Sequence, residues 1–271
     1  MLPRTNFFDR FILPNTSEIA YQYIHHHQSE TILFLHPLAM DGLFWKSVVD
    51  QLGSSANILL IDCPGHGASS TPEGPYDPAA IAENITALEA HLNLDKVIVV
   101  GASMGGCIAI ERAKIDAPEV AGALLIDTTA WYGIDAVSEW SKRCDKANCD
   151  GLESLSAFQV SRWFSDSFAK KYPDIVNELL QVFTSANMAG YEQSCLMLGN
   201  YDGRSGLEKI KCPCQLVVGE FDYAAPVSMS QALHESIPHS HLNILPGLKH
   251  HTAIEDPNTI SQLIAELLTV T

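Results

Sequence analysis

Ser103 lies in Gly101-Ala102-Ser103-Met104-Gly105-Gly106, directly after the apolar run Val97-Ile98-Val99-Val100 and directly before an apolar stretch of helical pattern. A serine flanked by glycines where a strand meets a helix occupies a tight, strained turn, because only glycine lets neighbouring backbone approach so closely. The strain holds the hydroxyl at the top of the sheet, while the helix start beneath it offers unpaired amides and the positive end of a dipole. Such a hydroxyl can attack a carbonyl carbon, with the Met104 N–H as one donor to the oxyanion that forms. The blander reading of the same residues is a turn serine that only caps a helix.

A serine hydroxyl is a weak nucleophile at neutral pH and needs a neutral imidazole to take its proton. Of the 11 histidines, His25-His26-His27 read as a polar loop, His91 ends a helix, and His234, His239 and His241 flank a helix and the next strand. Pro246-Gly247-Leu248-Lys249-His250-His251 differs, because it follows the last strand on the side where the loops of parallel sheets gather. Two adjacent histidines compete there, and only one can point at Ser103. The third partner must be a carboxylate that fixes the imidazole tautomer. Asp222, in Gly219-Glu220-Phe221-Asp222-Tyr223, and Asp127 both follow strands, and Glu220 is a further candidate. Chain order and loop position favour Asp222.

The second oxyanion donor is expected from His36-Pro37-Leu38-Ala39-Met40, the loop after another strand. Pro37 has no N–H to give, which leaves Leu38 as the donor and His36 as a residue that orders the loop. The turn-rich Asp62-Cys63-Pro64-Gly65-His66-Gly67-Ala68-Ser69 reads as structural.

These residues need a scaffold, and the pattern supplies one. Thr31–His36, Asn57–Asp62, Lys96–Gly101, Gly122–Asp127, Gln215–Gly219 and His241–Leu245 read as strands, most of them nearly continuous apolar runs, and Ile19–Ile24 is strand-like. Continuous apolarity implies burial on both faces, as in a parallel sheet covered by helices. Asp41–Leu52, Asp77–Leu92, Met104–Ile115, Pro226–Ile237 and Pro257–Leu268 have helix length, and several open with Asp or Pro. The fold class is therefore α/β, a doubly wound and mostly parallel sheet. Residues 131–209 break the alternation: they are helical in pattern and rich in aromatics such as Trp140, Phe158, Trp163 and Phe183. The expected organisation is a core of 1–130 and 210–271 carrying a helical lid, 131–209, within one domain.

Composition narrows the function classes. With 46% hydrophobic residues the chain can bury a sizeable core, and no apolar run reaches the ~18 residues of a membrane span. Asp and Glu outnumber Lys and Arg by 32 to 16, which disfavours nucleic acid and anionic membrane as partners. The odd count of 7 cysteines fits reduced thiols in the cytoplasm, and Cys212-Pro213-Cys214 and Cys144…Cys149 lack the second pair that a zinc site needs. Met1–Phe11 carries no apolar run of signal-peptide kind. Neither a metal nor a cofactor is expected.

On these residues the chain resembles the α/β-hydrolase superfamily over essentially its whole length, and within it the 3-oxoadipate enol-lactonases. The carrying segments are Asp62–Ser70, Gly74-Pro75-Tyr76, Gly101–Gly106, Arg162-Trp163-Phe164, Gly190-Tyr191, Gly219–Asp222 and His250 with Glu255-Asp256-Pro257. In that superfamily the catalytic histidine commonly precedes a Glu-x-Pro by five residues, which selects His250 over His251, and the acid loop maps to Asp222. The departure is Pro37, where a glycine often follows the loop histidine. The resemblance implies a serine hydrolase of a small carboxylic ester or lactone, with Ser103, His250 and Asp222 as triad and Leu38 and Met104 as oxyanion donors. An acidic substrate calls for a cation in the pocket: Arg162 is the candidate, with Trp131 and Trp163 beside it as substrate-binding residues, and Arg143 and Arg204 harder to place. Relatives with similar turns cleave carbon–carbon bonds of diketone-like acids, and a ligand-binding relative without catalysis is the remaining alternative.

Overall fold

The computed structural model describes residues 9–115 and 119–270. The reading of Met1–Phe11 falls largely on Met1–Phe8, which lie outside the described residues.

Among the described residues, eight strands form one sheet: β1 (Asp9–Ile12), β2 (Glu18–Ile24), β3 (Thr31–Leu35), β4 (Asn57–Ile61), β5 (Lys96–Ala102), β6 (Glu119–Ile126), β7 (Cys214–Gly219) and β8 (Ser240–Leu245). Their order is β1-β2-β4-β3-β5-β6-β7-β8. β1 pairs with β2, and β2 with β4, in antiparallel fashion, and every other pairing is parallel. Every residue of β3 and β4 is buried, in keeping with the apolar runs Ile32–Leu35 and Ile58–Ile61. The chain leaves β3 for β4 on one side and reaches β5 on the other. The loops after β3 and β5 therefore diverge and open a crevice at the carboxyl ends of the strands, where ligands of such sheets bind.

The covering helices are α1 (Lys46–Leu52), α2 (Pro78–His91) and α3 (Met104–Ala113), with α9 (Val227–Ser236), the short α10 (Thr252–Glu255) and α11 (Pro257–Val270) after the insertion. α1 packs on α11, and α2 on α3. α2 opens with Pro78 at its first turn and with the Asp77 side chain accepting from the Ala80 amide, the start its sequence announces. The helix expected over Asp41–Leu52 is instead a 3-10 turn, Gly42–Trp45, followed by α1; the Asp41 carboxylate takes the Leu43 amide and tightens that first turn.

Between β6 and β7 lie α4 (Ala136–Asp150), α5 (Ser156–Trp163), α6 (Asp166–Lys171), α7 (Pro173–Thr184) and α8 (Met188–Asn200). Among the described residues, no named strand falls between α4 and α8. The insertion is seated closely on the core: a Cβ on Gly190 would meet the Gly65 carbonyl oxygen at 2.2 Å, so both positions need glycine for the two backbones to touch. Trp163, Phe164, Phe183 and Tyr191 are buried in the same continuous hydrophobic core as the sheet.

Candidate active site

Ser103 stands at the end of β5 with φ 52° and ψ −116°, a conformation that an L-residue holds only when its surroundings impose it. The flanking glycines permit it: a Cβ on Gly101 would lie 2.3 Å from the Gly105 carbonyl oxygen, and one on Gly105 would lie 2.2 Å from that of Leu35. The turn packs α3 directly against the end of β3. Thr128 fixes it from the β6 side by donating its hydroxyl to the Ser103 carbonyl at 2.8 Å.

His250 reaches Ser103 from the loop after β8. The Ser103 hydroxyl and His250 Nε2 are 2.9 Å apart, and His250 Nδ1 lies 2.8 Å from Asp222 Oδ2. All three side chains are buried. Because the carboxylate only accepts, Nδ1 carries the proton in the neutral ring, which leaves Nε2 free to accept from Ser103. Asp222 is aimed by its own loop: its Oδ1 takes the amides of Ala224 at 2.7 Å and Ala225 at 3.0 Å.

The histidine loop is held by the insertion. The His250 amide donates to the Arg162 carbonyl at 3.2 Å, and that of His251 to the Trp163 carbonyl at 2.9 Å. Glu255 adds a third tie, accepting from the amides of Ser165 at 3.0 Å and Lys249 at 3.3 Å. That is a physical reason for a glutamate five residues after His250: it fastens the loop to the start of α6.

Leu38 lies on the crevice side of the β3 loop, and both it and Ser103 line the same small chamber. Among the described residues, the Leu38 and Met104 amides have no acceptor. His36 orders the loop: its Nε2 accepts from the Cys63 amide at 2.9 Å and its Nδ1–H donates to the Pro37 carbonyl at 2.8 Å. Burial holds His36 neutral, with a pKa lowered to about 4. Pro37 therefore fits the loop through its carbonyl, which accepts from His36 and from the Met40 amide.

Asp127, the rival acid, points elsewhere. It accepts from the Gly219 amide at 3.2 Å and from Thr252, through its amide at 3.0 Å and its hydroxyl at 2.8 Å. Burial, and then the charge of nearby Asp222, push its carboxyl well above the usual range. Among the described residues His251 makes no hydrogen bond to Ser103 either: its ring stacks on Trp163, with centroids 4.7 Å apart and planes 16° from parallel. Burial and the neighbouring His250 depress its pKa well below that of a free imidazole.

The chamber around Ser103 has a volume of about 30 Å³ and is walled by Tyr132, Trp140, Arg143, Gln159, Arg162 and Trp163, with both loop histidines. Tyr132, Trp140, Arg143 and Arg162 also line an outer cavity of about 960 Å³ that extends to Tyr223 and Met229. Arg162 crosses between the two spaces, its guanidinium carbon 3.9 Å from the Phe158 ring and 4.0 Å from that of Tyr223. Arg143 is held by a 2.9 Å bond to the Tyr191 hydroxyl and lies over Trp140. Among the described residues neither arginine has a carboxylate partner, although acids outnumber bases two to one in the chain.

Trp131 does not line either space, contrary to the sequence expectation. Its backbone bridges to Asp202, and its indole lies 4.0 Å beneath the Arg204 guanidinium, which is itself paired with Asp202. Those contacts use both Trp131 and Arg204 to join the two ends of the insertion to each other. Tyr132, one residue on, takes the place at the chamber: its hydroxyl lies 4.0 Å from the Cys107 thiol, and its ring meets Trp140 edge to face. Neither Tyr132 nor Gln159 stands out in the sequence, because a tyrosine after a strand and a glutamine in a lid helix have no motif around them.

A mostly parallel eight-stranded sheet, with a strained serine on the turn into a helix at its switch point, defines the α/β-hydrolase class of fold. The chain belongs to the Alpha/beta hydrolase family, which matches residues 32–262. Among curated proteins it is 27% identical over 253 residues to 3-oxoadipate enol-lactonase 2 of Acinetobacter baylyi, covering 93% of this chain and 94% of that one. It is also 27% identical over 250 residues to the pimeloyl-[acyl-carrier protein] methyl ester esterase of Chromobacterium violaceum, covering 89% and 95%. The crystal structure of the enol-lactonase from Burkholderia xenovorans LB400 superposes with a TM-score of 0.90 at 25% identity, covering 96% of this chain and 100% of that one. Among the described residues, no helix is long and apolar enough to cross a membrane.

Proposed function

We propose that the protein is a serine hydrolase that cleaves a small carboxylic ester or lactone through an acyl-enzyme. The observation that carries this reading is the unbroken hydrogen-bond line from Ser103 through His250 to Asp222. As the Ser103 oxygen attacks the carbonyl carbon, its proton passes to His250 Nε2, and Asp222 stabilises the imidazolium that results. The amides of Met104, the residue after Ser103, and of Leu38, at the same chamber as Ser103, have no acceptor among the described residues and take the negative charge that develops on the carbonyl oxygen. His250 then returns the proton to the departing oxygen, which in a lactone stays tethered to the acyl group. Water activated by the same imidazole releases the acid and restores Ser103. Each step uses side chains and backbone of this chain alone.

The helical insertion, residues 131–209, serves in this reading as a lid over the chamber. Arg162 in the passage, together with its ties to the His250 loop, supports a role in receiving a substrate carboxylate. The enol-lactonases among the similar proteins support a lactone as the substrate. The free thiols of all 7 cysteines are consistent with a reducing compartment such as the cytoplasm.

The test is a panel of aryl esters, γ- and δ-lactones and vinylogous diketones offered to the purified protein, alongside a fluorophosphonate probe. Turnover of an ester or lactone with a single adduct on Ser103 supports the reading. Labelling with turnover of the diketones alone would replace it with carbon–carbon bond hydrolysis, and failure of Ser103 to react would leave a ligand-binding relative.

A further inference from the structure

Leu155, the residue before α5, and Gln159 and Trp163 within it follow at intervals of four residues, and all three are buried, with Gln159 2% exposed. A stripe with that period is the core-facing side of a helix and calls for an apolar residue at each position. Gln159 breaks the rule. Among the described residues, its carboxamide has no hydrogen-bond partner, and a buried amide left in that state destabilises the fold. Its polar atoms are nonetheless not sealed in: they do not figure among the buried side-chain nitrogens and oxygens cut off from solvent. What surface Gln159 keeps faces the chamber that it shares with Ser103 and His250.

We propose that Gln159 is a specificity-determining residue that binds a hydroxyl group on the acyl part of the substrate. This deepens the hydrolase reading and rests on it. A carboxamide offers one acceptor and two donor hydrogens. A hydroxyl both donates and accepts, so it satisfies the carbonyl end or the amine end of Gln159 in either orientation. The chamber confines where that hydroxyl sits. Gln159 and Ser103 line one small chamber, so a group meeting Gln159 is placed near the carbonyl on Ser103. Arg143 and Arg162 line the same walls and suit an anion, so Gln159 adds a neutral polar contact that the two cations do not supply. The substrate class is therefore an ester or lactone of a hydroxy acid with its hydroxyl on the second or third carbon.

The experiment compares methyl 2-hydroxybutanoate and methyl 3-hydroxybutanoate, each with the ester in which a methyl replaces the hydroxyl. In the unsubstituted protein, kcat/KM should favour at least one hydroxy ester by roughly tenfold over its methyl counterpart, the size expected of one hydrogen bond. Gln159→Leu and Gln159→Met, which restore the apolar stripe, should erase that ratio and raise Tm of the ligand-free protein. A preference that survives both variants, or that is absent to begin with, overturns the proposal. A second arm does not depend on turnover: binding of the hydroxy and methyl acids to Ser103→Ala, with and without Gln159→Leu. Discrimination that vanishes with Gln159 supports the site even where no ester is cleaved, so failure of the hydrolase reading stays separate from failure of this one. Equal affinity for both acids in either background rules the site out.

Discussion

Asp127 at the end of β6 holds Thr252, two residues beyond His250, through two hydrogen bonds of 3.0 and 2.8 Å, while its other oxygen takes the Gly219 amide. One buried carboxylate thus ties the acid loop and the histidine loop together without touching the histidine ring. An asparagine in its place keeps one oxygen and turns an NH2 group toward one of these donors. Asp127→Asn should cost about 1–3 kcal/mol of stability, the price of a buried group left unpaired, with a modest change in rate per folded molecule. Asp222→Asn should leave the fold standing and lower kcat by about 10⁴-fold, because the imidazole then loses its tautomer and orientation. Urea denaturation and kinetics on both variants check the division; a reversed pattern would make Asp127 the working acid.

Ser103→Ala removes the proposed nucleophile from a turn whose shape is set by Gly101 and Gly105, so the fold should be retained. The expected loss of turnover is on the order of 10⁴-fold or more. Retention of a tenth of the activity would exclude Ser103.

The adjacent histidines should separate cleanly. His250→Ala is expected to be as severe as Ser103→Ala. His251 fills a slot against Trp163, Phe44 and Phe164, and its Nδ1 is sealed without a partner. His251→Ala should therefore lose about 3 kcal/mol of stability by opening a cavity. His251→Phe, which keeps a ring and removes the orphaned nitrogen, should retain both fold and activity. An inactive, well-folded His251→Phe would show that the histidine itself takes part.

Arg162→Ala, assayed on matched acidic and neutral lactones, should lower kcat/KM selectively for the acidic one. A charge-assisted bond to a carboxylate is worth about 1.5–3 kcal/mol, or roughly 10- to 150-fold. Because the Arg162 carbonyl also holds the His250 amide, Arg162→Lys serves as the control that keeps charge and backbone. An equal loss on both substrates would assign the side chain to its stack between Phe158 and Tyr223.

His66 gives a test in pH. Burial, and then its neighbour His36, lower its pKa to about 3 from 6.5, so it is neutral in the fold and takes up a proton on unfolding. Its contribution is full above the unfolded value of 6.5 and is lost as pH falls toward 3. At pH 5 that loss should be about 2 kcal/mol. His66 Nε2 has no partner, so His66→Phe gives up only the Nδ1 bond to Pro64. The stability of the unsubstituted protein relative to His66→Phe should fall by about 2 kcal/mol between pH 7.5 and pH 5. A gap independent of pH would mean that His66 is not buried neutral.

Much of the fold and part of the candidate site are local properties of the chain and can be read from it. Nearly continuous apolar runs mark β3 to β6, since strands buried on both faces are mostly apolar. The Ser103 turn is legible because two backbones approach within Cβ distance there, and glycine spacing records such a requirement residue by residue. Other choices depend on which parts of the chain come together across long separations. Asp127 and Asp222 both follow strands, and chain order and loop position favour Asp222; the contacts themselves, the His250 ring for Asp222 and Thr252 for Asp127, come from the geometry of β6, β7 and the histidine loop. Trp131 and Tyr132 are neighbours of similar character, yet the Asp202 bridge draws one into the seam of the insertion and leaves the other at the chamber. Gln159 becomes conspicuous only once α5 is laid over Ser103, because a polar side chain is anomalous only when its surroundings are buried. Spacing and residue type determine the strands and the serine turn; the meeting of distant segments, and the burial it brings, decides which side chains face the reacting group.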